Sequence, residues 1–414
     1  MEIAWAIGVS CMAYLLLAQV VQDFPTPLVL LSQQMSEGIN TFVLLSVPMF
    51  VLAGELMNRS GITRRLIDVA GVLVGHYRGG LGNVSVTSNF FMAGVSGSAL
   101  ADAAAIGSMM VPEMKRKGFH PAYASAVIAF GATMAPVIPP SVTFLLLGAI
   151  VEISVGQLFL AGVLPGALMF ISMMVLTWWL AVRRGFPVEP RPSWPQVRQV
   201  LLRGIWPLLV PIIVIRGIVT GMFTATEAAA VVVAYALFLG AVVYRSLGWR
   251  DLVGAAGDAA LTSAVIMLTV ATSQIFANLA VQEHLGRLIT DGLLAVSRDP
   301  TILLLMINGV LLVLGMFMEP LPVMLILAPI LFPLLGSMGV DPIHFGVVMV
   351  LNLMIGMVTP PVGLNLFVLG AISGENVMTI FRHGLPYFLA LAAVLVAVTY
   401  VPWLSLWLPT LYFR

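Results

Sequence analysis

Residues 93–98 read AGVSGS, and Pro139-Pro140 follows 41 positions after Ser98; residues 314–319 read LGMFME, and Pro360-Pro361 follows Glu319 at the same interval. Each stretch sets small or irregular residues in an apolar run. Each then leads to an apolar segment that two adjacent prolines must break, because proline has no amide hydrogen and its ring clashes with the preceding turn. Adding 221 to first-half numbers carries Gly94 to Gly315, Pro112 to Pro333, Gly118 to Gly339 and Pro121 to Pro342. It also carries Pro139 and Pro140 to Pro360 and Pro361, and Pro165 to Pro386. Glycine and proline mark backbone breaks that apolar composition does not dictate, so their agreement defines an internal repeat, as in secondary transporters. Under the same offset Met1 meets Met222, which leaves the apolar segment 205–221 without a first-half partner.

Of the 414 residues, 60% are hydrophobic and 9% charged. A soluble chain of this length has no interior for that much apolar surface, so a polytopic helical membrane protein is expected. The apolar runs are continuous and rich in Leu, Ala and Gly, unlike the short alternating strands of a β-barrel. A net charge of +1 implies no nucleic-acid or acidic partner, and the single Cys11 excludes an intramolecular disulfide and a cysteine-built metal site. Residues 3–21 lack a basic n-region and a small-residue cleavage site, so they are expected to be retained as a span. There is no His cluster, Walker loop, Ser-His-Asp set or metal-spaced acid pair, which disfavours an enzyme or an ATP-driven pump.

Spans are expected at about 3–22, 41–57, 121–150, 157–182, 205–221, 226–244, 259–280, 342–371 and 386–409. The loop with Asp23, Pro25 and Pro27 has no basic residue and suits the outside, whereas Arg59, Arg64 and Arg65 suit the inside. Residues 62–78 alternate at helical spacing and read as an interfacial amphipathic helix, with a second such arm at 281–299. The apolar runs 81–112 and 301–335 are too long for one crossing and too short for two, each crossing needing about 20 residues. Both read as re-entrant hairpins. Arms of about 14 residues reach about 21 Å, which brings the tips to mid-depth. Seven basic residues flank the first hairpin, from Arg59 to Lys117, but only Arg287 and Arg298 flank the second. The first therefore enters from the cytoplasm and the second from outside.

The resulting fold class is an all-α polytopic membrane protein with inverted-topology repeats, each carrying a re-entrant hairpin and a broken transmembrane helix. The first repeat is 1–182, with its hairpin at 81–112 and its broken helix at 121–150. The five-arginine stretch 183–203 is the cytoplasmic linker. The second repeat is 204–414, with its hairpin at 301–335 and its broken helix at 342–371.

Several groups carry alternative readings. Residues 94–98 offer carbonyls and the Ser96 and Ser98 hydroxyls, which suit a hard cation such as Na+; they also suit a small-residue helix-packing patch. The break at 135–140 leaves unpaired carbonyls, or is a plain proline kink. Gly315, Glu319, Gly356, Thr359, Gly363 and Asn365 are the corresponding second-half groups. Glu319 is an ionisable group in an apolar run, either functional or held by water or a helix N-terminus. Asp102, one turn past the first tip, either caps the second half-helix or serves function. Asn352 reads as an interhelical hydrogen-bonding residue or a site residue. Glu55 and Arg59 read as an i, i+4 pair. The run Thr224-Ala-Thr-Glu227 reads as a capping box, Arg216 as a snorkelling cation, and Trp403 with Trp407 as an interfacial belt.

The stretches VPMFVLAGELMNRSGITRRL (47–66), AGVSGSALADAAAIGSMMVPEMKRKGF (93–119), PVIPPS (136–141), FTATEAAA (223–230), LGMFMEP (314–320) and TPPVGLNLFV (359–368) resemble the large membrane subunit of tripartite ATP-independent periplasmic (TRAP) transporters. The likeness covers nearly the whole chain, although the family's usual first apolar helix is absent and Ala135 stands where a Gly is common. It implies an elevator-type secondary carrier of the bacterial inner membrane, driven by a Na+ gradient. Its expected partners are a small four-helix membrane subunit, a periplasmic substrate-binding protein that delivers a small organic acid, and the lipid bilayer. By motif, one Na+ site would use Ser96, Ser98 and backbone oxygens of Ala135, Ile138 and Pro140. The other would use the backbone around Gly315, Gly356, Thr359 and Pro361, with Glu319 beside it. Gly97, Asp102, Gly363 and Asn365 are candidates for the substrate cavity. A stand-alone ion-coupled carrier or antiporter, proton-coupled through Glu319 or Asp102, and an ion channel are the other readings.

Overall fold

The computed structural model describes residues 2–21, 29–186, 188 and 190–413; the loop with Asp23, Pro25 and Pro27 lies outside the described residues. Among the described residues the secondary structure is helical throughout. Among these residues seven helices are long and apolar enough to cross a membrane, and the bent pair Trp194–Gly204 and Trp206–Val219 makes up to eight.

Two hairpins and two broken helices form the centre. The first hairpin has arms Gly80–Ser96 and Ala99–Arg116; the second has arms Pro300–Phe317 and Pro320–Ser337. The arms are 17 or 18 residues long, not 14, and so reach about 26 Å at 1.5 Å per residue. The first broken helix is Pro121–Ala132 plus Val142–Ile150, and the second is Pro342–Gly356 plus Leu364–Ser373. Both begin alike. His120 accepts a bond from the Ala122 amide, Asp341 accepts from those of Ile343 and His344, and a proline follows each cap at the first helical position. Both di-proline bonds are cis. From Ala122 to Ala132 and from Ile343 to Gly356 every residue is buried, with Tyr123, Phe130 and Phe345 among the largest wholly enclosed side chains. Helices buried on all faces sit at the middle of a bundle.

Around this centre lie Ser46–Arg59, Val155–Arg184, Ala225–Phe238, Trp249–Gln282 and Val377–Tyr400. Their outer faces expose large apolar side chains such as Ile171, Val175, Phe238 and Leu389, as a lipid-facing surface requires. Ile62–Val74 and Leu285–Val296 are the two amphipathic arms leading into the hairpins. The capping box at Thr224 forms: the Thr224 amide donates to Glu227 Oε2 at 2.8 Å, and the Glu227 amide donates to Thr224 Oγ1 at 3.2 Å.

Three expectations are corrected. Arg59 does not pair with Glu55 one turn away; it reaches Asp258 on Trp249–Gln282 at 2.5 Å. The expected final span 386–409 is instead the helix Val377–Tyr400, then a break and Trp403–Tyr412, whose Trp403 and Trp407 rings lie 5.5 Å apart. The stretch between the expected spans 3–22 and 41–57, read as a loop, contains the helix Val29–Ile39. It packs with Glu2–Val21 against Trp249–Gln282, where a Cβ on Gly38 would meet Gln274 at 2.8 Å. The 221 offset places 29–39 at 250–260, inside Trp249–Gln282, and that repeat relation was the available signal.

Candidate functional site

The tip of the first hairpin is a tight reversal at Gly97, whose φ is +63°. A Cβ there would stand 2.7 Å from the Pro140 carbonyl oxygen and 3.4 Å from Ser141 Cα, so only glycine lets the tip backbone lie against the di-proline break. Ser98, not Asp102, caps the second arm by accepting the Ala101 amide at 3.4 Å. Asp102 points back into the tip instead. Its Oδ1 accepts the Ser96 hydroxyl at 2.5 Å, and the Ser98 amide donates to Ser96 Oγ at 3.3 Å. Asp102 is wholly buried, and its second carboxylate oxygen has no hydrogen-bond partner. A buried carboxylate without a partner calls for a cation or a proton.

Across from this tip the chain leaves the helix at Thr133 and re-enters it at Ser141. The Ser141 hydroxyl donates to the Pro136 carbonyl at 2.6 Å and accepts the Phe144 amide at 3.1 Å. Among the described residues no backbone amide donates to the carbonyls of Ala135, Ile138 or Pro140. Ser96, Ser98 and Asp102 bring hydroxyl and carboxylate oxygens together at the tip, and Gly97 sets the Pro140 carbonyl against that tip; oxygen donors of this kind suit a hard cation.

The second half is built differently. A Cβ on Gly356 would meet Gly315 Cα at 2.6 Å, so the hairpin arm and the broken helix touch backbone to backbone. The Gly363 amide donates to the Met316 carbonyl at 3.4 Å, and Gly363 restarts the helix at φ +62°. The Gly356 carbonyl accepts the Thr359 amide, and the Thr359 hydroxyl donates to the Ile355 carbonyl at 2.7 Å. No backbone amide among the described residues donates to the carbonyls of Gly315, Thr359 or Pro361. Asn365 is buried; its amide nitrogen donates to the Ala129 carbonyl of the first broken helix at 3.3 Å, and its Oδ1 has no partner. Glu319 stands apart from this group. It is exposed and caps nothing through its side chain.

Glu319 does meet the first tip. One cavity of about 530 Å3 is lined by residues 96–101 of the first hairpin, Pro136, Val142 and Thr143 of the first broken helix, Glu319 to Leu321 of the second hairpin, and Met354 and Met357 of the second broken helix. Ser46–Arg59 closes it with Gly54, Glu55 and Asn58, and Trp249–Gln282 closes it with Leu261, Thr262, Val265 and Ile266. Its lining contains two carboxylates and neither Lys nor Arg. The residues from these two surrounding helices were not legible as site residues, since each sits in an ordinary apolar helix. Asn352 joins helix to helix: it donates to the Asn308 carbonyl at 2.9 Å and to Asn308 Oδ1 at 2.8 Å, and Asn308 donates to Thr399 Oγ1 at 3.0 Å, while Asn352 Oδ1 itself has no partner.

Two hairpins and two broken helices meeting at a central cavity within a helical membrane bundle define a membrane transporter fold. Two solved transporters share it. The YdaH transporter of Alcanivorax borkumensis aligns with a TM-score of 0.69 at 14% identity over 100% of this chain and 99% of that one. Neisseria gonorrhoeae MtrF, described as representing a class of antimetabolite efflux pumps, aligns with a TM-score of 0.65 at 13% identity over 98% and 95%. Residues 1–404 match the tripartite ATP-independent periplasmic transporter family, DctM component, and the chain belongs to that family. The sialic acid TRAP transporter large permease SiaM of Vibrio cholerae is 41% identical over 381 residues, 92% of this chain and 89% of that protein. The C4-dicarboxylate large permease DctM of Pseudomonas aeruginosa is 38% identical over 379 residues, 92% and 89%. The chain is thus a TRAP large permease, a multi-pass protein of the bacterial inner membrane.

Proposed function

We propose that this permease takes up a small organic acid, driven by a Na+ gradient and delivered by a periplasmic binding protein, together with a small membrane subunit. The observation that carries the reading is the single cavity in which both hairpin tips and both broken helices meet. On this reading 1–182 and 204–414 are inverted repeats joined by 183–203. Their hairpins and broken helices move together as an elevator against the helices Ser46–Arg59 and Trp249–Gln282. A cavity lined by Glu55 and Glu319 and no basic side chain is poorly suited to an anion by itself. Bound Na+ would supply the missing positive charge. The protein's own part is to hold Ser96, Ser98, Asp102 and the carbonyls of Ala135, Ile138 and Pro140 in one cluster at the cavity edge. The carbonyls of Gly315, Thr359 and Pro361 form the second, wholly backbone donor set. The relatives named for sialic acid and for C4-dicarboxylates support an organic acid as cargo.

The test is uptake of sialic acid and C4-dicarboxylates into proteoliposomes holding the assembled permease, with the binding protein outside. The double substitution Ser96→Ala with Ser98→Ala is expected to raise the half-saturating Na+ concentration by roughly tenfold, the effect of about 1.4 kcal/mol of lost site energy. Unchanged Na+ dependence in a folded, active variant would remove the first cluster from the coupling site.

A further inference from the structure

A second recess, of about 930 Å3, lies away from the central cavity, between Ile62–Val74, Trp194–Gly204 and the end of the span Ala225–Val243, which continues the helix Ala225–Phe238. Its lining includes Arg59, Arg64, Arg65 and Arg203 against one acid, Asp68. The arginines are not equivalent. Arg59 is paired to Asp258. Arg65 donates to the Ser60 and Gly61 carbonyls at 2.8 and 2.9 Å and lies 3.8 Å over the Tyr244 ring, which fixes its position. Arg64 and Arg203 are exposed, and among the described residues neither makes a salt bridge. Tyr244 donates to the Arg203 carbonyl at 2.8 Å, and Ser246 donates to the Ser60 carbonyl at 2.9 Å, so the walls are tied to each other. Gln196 and Gln199 add further hydrogen-bonding groups. Leu202, Trp206 and Val243 line the same recess and remain 59%, 42% and 39% exposed. The arginine-rich side is the cytoplasmic one by the positive-inside rule.

We propose that this recess binds the headgroup of an anionic phospholipid of the cytoplasmic leaflet, with its phosphate held by Arg64 and Arg203 and its acyl chains along Leu202, Trp206 and Val243. A guanidinium fork matches phosphate oxygens, and basic pockets on the cytoplasmic side of helical membrane proteins suit such headgroups. The exposed apolar wall selects a lipid over a free phosphate, which has nothing to place there. Because Ile62–Val74 leads into the first hairpin and Trp194–Gly204 lies between the two halves, a bound headgroup would hold these two helices together and, on the elevator reading proposed above, restrain the first hairpin.

The test uses the full chain purified in neutral detergent, with phosphatidylglycerol, phosphatidylcholine and inorganic phosphate as probes. Native mass spectrometry counts retained lipid, and a titration gives affinity. Phosphatidylglycerol is expected to bind, phosphatidylcholine not to compete, and added salt to weaken the complex. Arg64→Gln alone is expected to weaken binding about fivefold, and Arg64→Gln with Arg203→Gln roughly thirtyfold. The Lys-for-Arg double variant should recover most of that loss. The single variant changes one exposed side chain, so the result stands even if the double variant does not fold. Equal retention of phosphatidylglycerol by wild type and the folded Arg64→Gln protein would overturn the proposal. Millimolar inorganic phosphate that displaces the lipid, and is itself lost in the variants, would overturn the lipid assignment in favour of a free-phosphate site.

Discussion

Gly97→Ala adds one methyl group at the point where the first hairpin meets the first broken helix. Two costs are separable. The residue sits at φ +63°, where an L side chain costs about 1–2 kcal/mol. The new Cβ would also lie 2.7 Å from the Pro140 oxygen, a contact that no backbone neighbour can relieve without moving. Overpacking of this kind costs about 1–3 kcal/mol, for a total of about 2–5 kcal/mol. Gly118→Ala is the control. Gly118 has φ +86°, and a Cβ added there would have nothing within 4 Å, so it carries only the first cost. Both variants are made in the full chain and compared by denaturant unfolding and by Na+-dependent uptake in proteoliposomes. Gly97→Ala should lose about 1–3 kcal/mol more than Gly118→Ala. It should also raise the half-saturating Na+ concentration, because separating the tip from Pro140 pulls Ser96 and Ser98 away from the di-proline carbonyls. If the two variants are indistinguishable in both assays, the tip does not rest on Pro140 and the proposed donor cluster is not assembled there.

The second half offers a parallel pair. Gly356→Ala meets Gly315 backbone at 2.6 Å, whereas Gly315→Ala meets its nearest atom at 3.2 Å; Gly356→Ala should therefore be the more destabilising by about 1–3 kcal/mol in the same unfolding assay. Asn308→Leu removes the side-chain acceptor of the buried Asn352 amide and should cost about 1–3 kcal/mol. A double-mutant cycle with Asn352→Leu should show the two losses to be less than additive. Arg59→Gln breaks a partly exposed ion pair with Asp258, whose side chains are 33% and 56% exposed, so equilibrium stability should change by about 1 kcal/mol or less.

The backbone plan was largely legible in the chain. Proline and glycine act locally, so Pro139-Pro140 and Pro360-Pro361 announce helix breaks whatever surrounds them, and the 221 offset pairs the breaks. The small and irregular residues located both turns, but run length was a weaker guide: Pro300–Phe317 and Pro320–Ser337, expected together to be too short for two crossings, are each long and apolar enough to cross a membrane. Partner choice was less legible. Spacing alone placed Glu55 beside Arg59, but Asp258 approaches on a neighbouring helix and takes the guanidinium. Spacing offered Asp102 as a cap or as a functional group; Ser98 takes the capping role, which frees the carboxylate to accept from Ser96. The helix Val29–Ile39 escaped because its polar content masks a face that packs on Trp249–Gln282 and places Leu31 beside Cys11 and Leu15.

The sequence by itself determined that AGVSGS and LGMFME are turning points inside apolar hairpins and that each is answered by a di-proline break. These follow from local sterics and from the apolar length a membrane demands. Only the tertiary structure decided what faces what. It put Gly97 against Pro140, joined Gly315 to Gly356, and opened Glu319 into a cavity shared with Ser96 and Ser98 as well as with its own broken helix. The physical reason is that a residue's contacts across a bundle depend on the rotation and depth of whole helices, and the packing of many small side chains sets both together.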